Sequence, residues 1–316
     1  KDDAIKNQTD DKVNLPSKSL KVKKNINIES NAIPTDLEEQ LIKLALIYHS
    51  QGNIIEAEKS YKNIIKKGIS NPIIFYNYGV ILKDRSNLKK AEENILLSIN
   101  LKPDFPESYF VLSEIQFRLN KFIDANKSII KAIKINKNNY KYHYLLSSIL
   151  VALKRFKDAE ISLKETIILN PNHFKAHSNL SGILRKSGKL NEAEISIRHA
   201  IKLSPISPEH YFNLGNILRD KCKLNEAEIS MKKAIKLKYD YPSAHNNLGN
   251  ILNNLGKLNE AKMSIEESIK IKPNNKNAYW NLCALSNNIL EAEENIIKCL
   301  EIDKNYLNAK LIHSAL

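Results

Sequence analysis

Glycine, cysteine and tryptophan are scarce in this chain of 316 residues, which holds eight, three and one of them. With so few glycines a phosphate-cradling loop has little to be built from, and no glycine-rich turn of that kind is present. Three cysteines cannot form a disulfide framework, so free thiols and a reducing, cytoplasmic setting are expected. No stretch has the length and apolarity of a membrane span. No signal peptide is recognisable, although the chain starts at Lys rather than Met, which leaves a removed leader open. HExxH, GxSxG and CxxC are also missing. Nothing therefore points to catalysis, a metal or a cofactor, and this segment is expected to be non-enzymatic.

What is abundant is lysine, asparagine and isoleucine. The formal net charge of +14 invites a nucleic-acid reading. AT-rich coding produces the same three residues, however, and gives the charge a compositional origin. Residues 1–34 are polar and charged and are expected to form a disordered linker. Within them Leu20, Val22, Ile26 and Ile28 alternate as a short strand would, the alternative being a solvated tail.

From residue 38 the chain repeats with a period of 34, starting at 38, 72, 106, 140, 174, 208, 242 and 276. The eighth repeat is three residues short, between Ser286 and Ala292, and a half-repeat follows from 307 to 316. Repeat position 20 is always alanine: Ala57, Ala91, Ala125, Ala159, Ala193, Ala227, Ala261 and Ala292. Position 8 is always small (Ala45, Gly79, Ser113, Ser147, Ser181, Gly215, Gly249, Cys283), and position 24 is large, from Tyr61 through Met231 to Ile296. Eight of the ten prolines stand at position 1 or 32, where a helix begins or has just ended. Two antiparallel helices approach closely only where facing residues are small, and one such pair cannot bury its apolar face alone.

This pattern resembles the tetratricopeptide repeat, with its W-x2-L-G-x2-Y…A-x3-F…P signature, over residues 38 to about 306. The tryptophan slot holds Leu41, Phe75, Tyr109, His143, His177, Tyr211, His245 and Tyr279, a mild departure. The resemblance implies an all-α, right-handed α-solenoid of helix-turn-helix repeats, about one superhelical turn, spanning 35–316. It also implies that positions 2, 5, 6, 9, 12 and 13 of each first helix line a concave groove that takes an extended polypeptide or a partner protein. No specific nucleic acid and no membrane are expected as partners.

In repeat seven those positions form an uncharged stripe: Asn246, Asn247, Asn250, Asn253 and Asn254. Each costs about 0.6 kcal/mol of helix propensity relative to alanine, so the stripe calls for a compensating role. Position 6 carries Asn77, Asn179, Asn213, Asn247 and Asn281, with Asn216 at position 9 of repeat six. That row is similar to the asparagine ladder in the tetratricopeptide superhelix of O-linked N-acetylglucosamine transferases, where carboxamides grip a polypeptide backbone. The alternative is a repeat consensus that binds nothing. The N-terminal half of the groove reads as more apolar and aromatic, with Tyr76, Phe110 and Tyr144; Phe212 and Trp280 stand among the later asparagines, which include Asn287 and Asn288. The histidines at position 4 read as packing residues, and Cys283 and Cys299 as packed thiols. Bacterial proteins with similar NLGNIL…KLNEAE repeats often continue into a methyl-, sulfo- or glycosyltransferase domain. The alternative function is thus the substrate-recognition arm of a larger enzyme.

Overall fold

The computed structural model describes residues 35–286 and 288–313. The linker expected over 1–34, the strand within it, and Asn287 lie outside the described residues. The chain divides into two compact units at Ser60/Tyr61. In the first, α1 (Thr35–Ser50) and the start of α2 (Ile54–Lys66) bury Ala45 and Ala57 completely.

The second unit is an all-α solenoid built from helix pairs. First helices are α3 (Pro72–Asp84), α5 (Pro106–Arg118), α7 (Tyr140–Ala152), α9 (Phe174–Lys186), α11 (Pro208–Asp220), α13 (Pro242–Asn254) and α15 (Lys276–Cys283). Their partners are α4 (Leu88–Leu101), α6 (Phe122–Ile135), α8 (Phe156–Leu169), α10 (Leu190–Leu203), α12 (Leu224–Leu237), α14 (Leu258–Ile271) and α16 (Ile289–Ile302), and α17 (Leu307–His313) follows. Proline opens α3, α5, α11 and α13, where its missing N–H costs nothing. The three-residue deletion follows α15, which has only eight residues. No described helix is long and apolar enough to cross a membrane.

In the six full pairs from α3 to α14, the turn needs a residue in the left-handed region, and position 15 supplies it. Glycine does so at 188 and 256, but Ser86, Asn120, Lys154 and Cys222 also hold φ near 60°. Contacts elsewhere must outweigh that local strain of about 1–2 kcal/mol.

Within each pair the small residue at position 8 receives the large residue at 24. A Cβ on Gly79 would stand 2.7 Å from Ile95 Cδ1, and one on Gly215 would stand 2.9 Å from Met231 Cε. Ser113 uses the same proximity differently, donating its hydroxyl to the Ala125 carbonyl at 2.8 Å. Ala91, Ala125, Ala159, Ala193, Ala227 and Ala261 are fully buried. The position-4 histidines pack as expected and tie each pair to the loop before it. His143, His177 and His245 each hydrogen-bond through Nε2 to the backbone carbonyl six residues earlier, at 2.9, 2.9 and 3.0 Å. Cys299 is buried with its thiol donating to the Lys276 carbonyl, and burial pushes the Cys283 and Cys299 thiols upward in pKa.

Ion pairs from the turn lysines of one repeat to second-helix glutamates of the repeat before knit successive repeats. Glu160 accepts from Lys189 at 2.9 Å, Glu194 from Lys221 at 2.6 Å and Glu228 from Lys257 at 2.8 Å. Lys164 and Lys189 hold the Glu160 carboxyl below its ordinary 4.5; Lys221 and Arg198 do so for Glu194, and Lys232 and Lys257 for Glu228. Because the folded pKa is depressed, this stabilisation is present above the unfolded value and is lost as pH falls through the folded one.

Two outcomes are expected. Thermal melting should drop on acidification from about pH 6 to about pH 3, and the triple variant E160Q/E194Q/E228Q should show a smaller drop. In urea titrations Gly249→Ala should destabilise by about 1–3 kcal/mol, since its Cβ meets Ile265 and stands 3.0 Å from the fixed Ala261 carbonyl oxygen. Gly182→Ala, in α9 with nothing within 4 Å of the new Cβ, should instead stabilise by roughly 0.5–1 kcal/mol.

Candidate functional site

Successive first helices approach one another, α3 with α5, α5 with α7, α9 with α11, α11 with α13 and α13 with α15. Residues at positions 5, 6 and 9 therefore meet across the repeat boundary. The asparagine row is bonded sideways. Asn179 Nδ2 donates to Tyr144 Oη at 3.2 Å, Asn213 Nδ2 to Ser178 Oγ at 3.5 Å, and Asn281 Nδ2 to Asn246 Oδ1 at 2.9 Å. In all three, position 6 gives a hydrogen to position 5 of the repeat before. Asn247 faces Phe212 at that position, which has no polar atom, and donates instead to Asn216 Oδ1 at 2.8 Å.

Each position-6 amide thus spends an N–H on its neighbour, which fixes the rotation of the carboxamide. A carboxamide has two donors and an acceptor. No partner stands against the Oδ1 of Asn179, Asn213, Asn247 or Asn281 among the described residues. Asn216 and Asn246 are buried, so they orient the row from beneath rather than present themselves. Asn250 and Asn253 are half-buried, and Asn254 is exposed at the end of α13. Asn77 differs, because its side chain bonds the buried Tyr61 hydroxyl.

The aromatics expected on this face are held by a pairing that sequence reasoning missed. Position 5 packs against the residue at position 34 of the same repeat, just before the next first helix. Tyr76 meets Phe105 at 5.0 Å between ring centroids, Tyr144 meets His173 at 4.6 Å, Phe212 meets Tyr241 at 5.1 Å and Trp280 meets Tyr306 at 5.7 Å. Phe110, with Asn139 at that position, turns to Tyr142 at 5.1 Å. The signal was available: repeats five and seven pair Ser178 with Ser207 and Asn246 with Asn275. All five aromatics are half-buried, and burial pushes the Tyr76 hydroxyl up to about 12.

Several charges on this face are paired, two of the pairs across repeats. Lys83 meets Glu114 at 2.7 Å, and Asp220 takes both Arg185 at 2.6 Å and Arg219 at 3.0 Å. Among the described residues no group of three or more His, Cys, Asp or Glu side chains is placed to hold a metal.

Paired helices of 34-residue period, joined by small-into-large contacts, have a counterpart among known families. The tetratricopeptide repeat model matches residues 174–207, 209–241 and 242–275, and the model of anaphase-promoting complex (cyclosome) subunit 3 matches 84–166. Residues 174–275 are tetratricopeptide repeats. Similar solved structures include the APC/C hetero-tetramer Cut9-Hcn1, at 13% identity and a TM-score of 0.61, covering 87% of this chain and 55% of that one. A tetratricopeptide repeat protein of Parabacteroides merdae matches at 18% identity and a TM-score of 0.61, covering 81% of this chain and 98% of that one. Pseudomonas aeruginosa pilF matches at 15% and 0.58, covering 67% and 97%. Identities this low establish the shared fold alone, and the chain spans about half of the first of these proteins. No curated protein matches the sequence. Tetratricopeptide repeat folds in general are non-catalytic scaffolds for protein–protein interaction.

The sideways bonds set the cost of removing a rung. Replacing Asn247 or Asn281 by alanine leaves a buried acceptor, Asn216 or Asn246, without its donor. Each should cost about 1–2 kcal/mol net of recovered helix propensity, read from urea midpoints. Asn179 is exposed, and Asn179→Ala should stay within about 0.5 kcal/mol of wild type.

Proposed function

We propose that the first-helix face of repeats five to eight binds an extended polypeptide by its backbone. The observation that carries this is the direction of the position-6 amides. With one N–H tied to the preceding repeat, Asn179, Asn213, Asn247 and Asn281 are left with oriented carbonyl oxygens and a second N–H. These complement peptide N–H and C=O groups without selecting a charge or a sequence. Helices in contact lie about 10 Å apart. An extended chain rises about 3.3 Å per residue, so successive rungs meet every third residue. Asn250, Asn253 and Asn254 add amides with no partner among the described residues, and one ring face of Phe212 and Trp280 supports side-chain contact. The paired charges on this face favour a ligand chosen by its backbone over one chosen by its phosphates. The alternative role, a recognition arm for a transferase, gains no support from the fold or from the similar structures.

The test compares peptides of one sequence with and without backbone N-methylation at every third residue. Loss of each peptide N–H should weaken binding by about 0.5–1.5 kcal/mol. The triple variant N250A/N253A/N254A should melt at or above the wild-type temperature and bind the unmethylated peptide less tightly. Equal affinity for both peptides, with no effect of the triple variant, would remove the ladder as a backbone-binding device.

A further inference from the structure

The outer face of the second helices carries a feature that the first-helix face does not explain. Position 22 points straight out from these helices. In repeats four to seven it is Ile161, Ile195, Ile229 and Met263, which are 67%, 61%, 69% and 69% exposed. In repeats one, two, three and eight the same position is Lys59, Glu93, Lys127 and Glu294, all exposed. The four apolar residues are therefore contiguous in space and bounded by charge at both ends. Isoleucine is a poorer helix former than lysine or glutamate, so the substitution gives the helices nothing. AT-rich coding favours lysine as much as isoleucine and does not account for the division. A run of four large apolar side chains in water fits a contact surface.

Two further rows flank this ridge. One helical turn before it stand Asn191, Asn225 and Asn259, and two turns after it stand Lys202, Lys236 and Lys270. Lys202 and Lys236 form no ion pair among the described residues. Of the carboxylates beside the ridge, Glu192 is exposed without an ion pair among the described residues, and the others are engaged: Arg198 reaches Glu194 at 2.8 Å and Glu226 at 3.5 Å, and Lys232 reaches Glu228 at 2.6 Å and Glu260 at 3.9 Å. Beside Ile195 a shallow depression of about 300 Å³ is lined by Arg198, His199 and Lys202. The face thus offers an apolar line with cations along one edge, and it lacks the tryptophan and tyrosine anchors that suit a lipid interface.

We infer that this ridge docks an amphipathic α-helix of a partner protein, with acidic residues along the edge that meets Lys202, Lys236 and Lys270. An amphipathic helix presents one apolar stripe with a charged edge beside it, which complements an apolar line bordered by cations, in the manner of a helix laid on an apolar surface. This site lies on second helices and does not depend on the asparagine row.

The experiment uses the full chain and a designed helical peptide with leucine at one heptad position over four heptads and glutamate along one edge. Binding of this peptide is expected, with a loss of roughly tenfold or more in the variant I161K/I195E/I229K/M263E, which carries the residue types of the other repeats. Its melting temperature should match wild type, because the replaced side chains are mostly exposed. The variant K202E/K236E should bind the glutamate-edged peptide less tightly and a lysine-edged isomer more tightly. Equal binding by wild type and the ridge variant would overturn the inference. So would preferential wild-type binding to phosphatidylserine vesicles, or a dimer that the ridge variant converts to monomer, each of which assigns the ridge to a different occupant.

Discussion

The close approach of position 8 to position 24 is the constraint on which the rest of this structure depends. Gly79 against Ile95, Gly215 against Met231 and Gly249 against Ile265 leave no room for a Cβ without displacement. That contact sets the distance between the two helices of a pair, and the alanines at position 20 keep the backbones close beside it. Once the pair spacing is fixed, every residue at a given repeat position faces its counterpart in the next pair at a nearly constant offset. The sideways hydrogen bonds, the aromatic contacts and the ion pairs recur because that offset recurs.

The two faces use this regularity differently. On the first helices polar side chains reach one another, and what each does depends on a single neighbour. Asn213 donates to Ser178, whereas Asn247, opposite Phe212, must reach Asn216. The row is therefore a continuous amide network with local substitutions, and its orientation is a property of adjacent repeats taken together. On the other side, the long side chains of Lys189, Lys221 and Lys257 reach from the turns to Glu160, Glu194 and Glu228 on the second helices of the repeats before. Short amides suffice between neighbouring first helices, and lysine is needed to reach from a turn to the helix of the repeat before.

Much of the fold was legible in advance because it is specified by period. Small residues at 8, alanine at 20, prolines at 1 and 32 and amphipathic segments between them each encode a helix or a turn locally. Repetition then left one way to bury the apolar faces. The left-handed residue at position 15 was less legible: Gly188 and Gly256 announce it, but Lys154 and Cys222 adopt it only because the helices on either side leave no other path. The candidate site was legible as a list of asparagines and aromatics. What each one touches was not, since the contacts join residues 16 to 35 apart, such as Tyr144 with His173 and Asn179 with Tyr144.

By itself the sequence determined the helices, their pairing and the uncharged character of the amide stripe, because these follow from residue type and spacing along one chain. Only the tertiary structure decided how those residues are used. It placed Asn216 and Asn246 beneath the row as acceptors, set the aromatics of position 5 against those of position 34, and aligned Ile161, Ile195, Ile229 and Met263 into one exposed line. The physical reason is that hydrogen bonding and apolar contact act over a few ångströms between neighbouring repeats, and the offset between repeats exists only once the pairs have stacked.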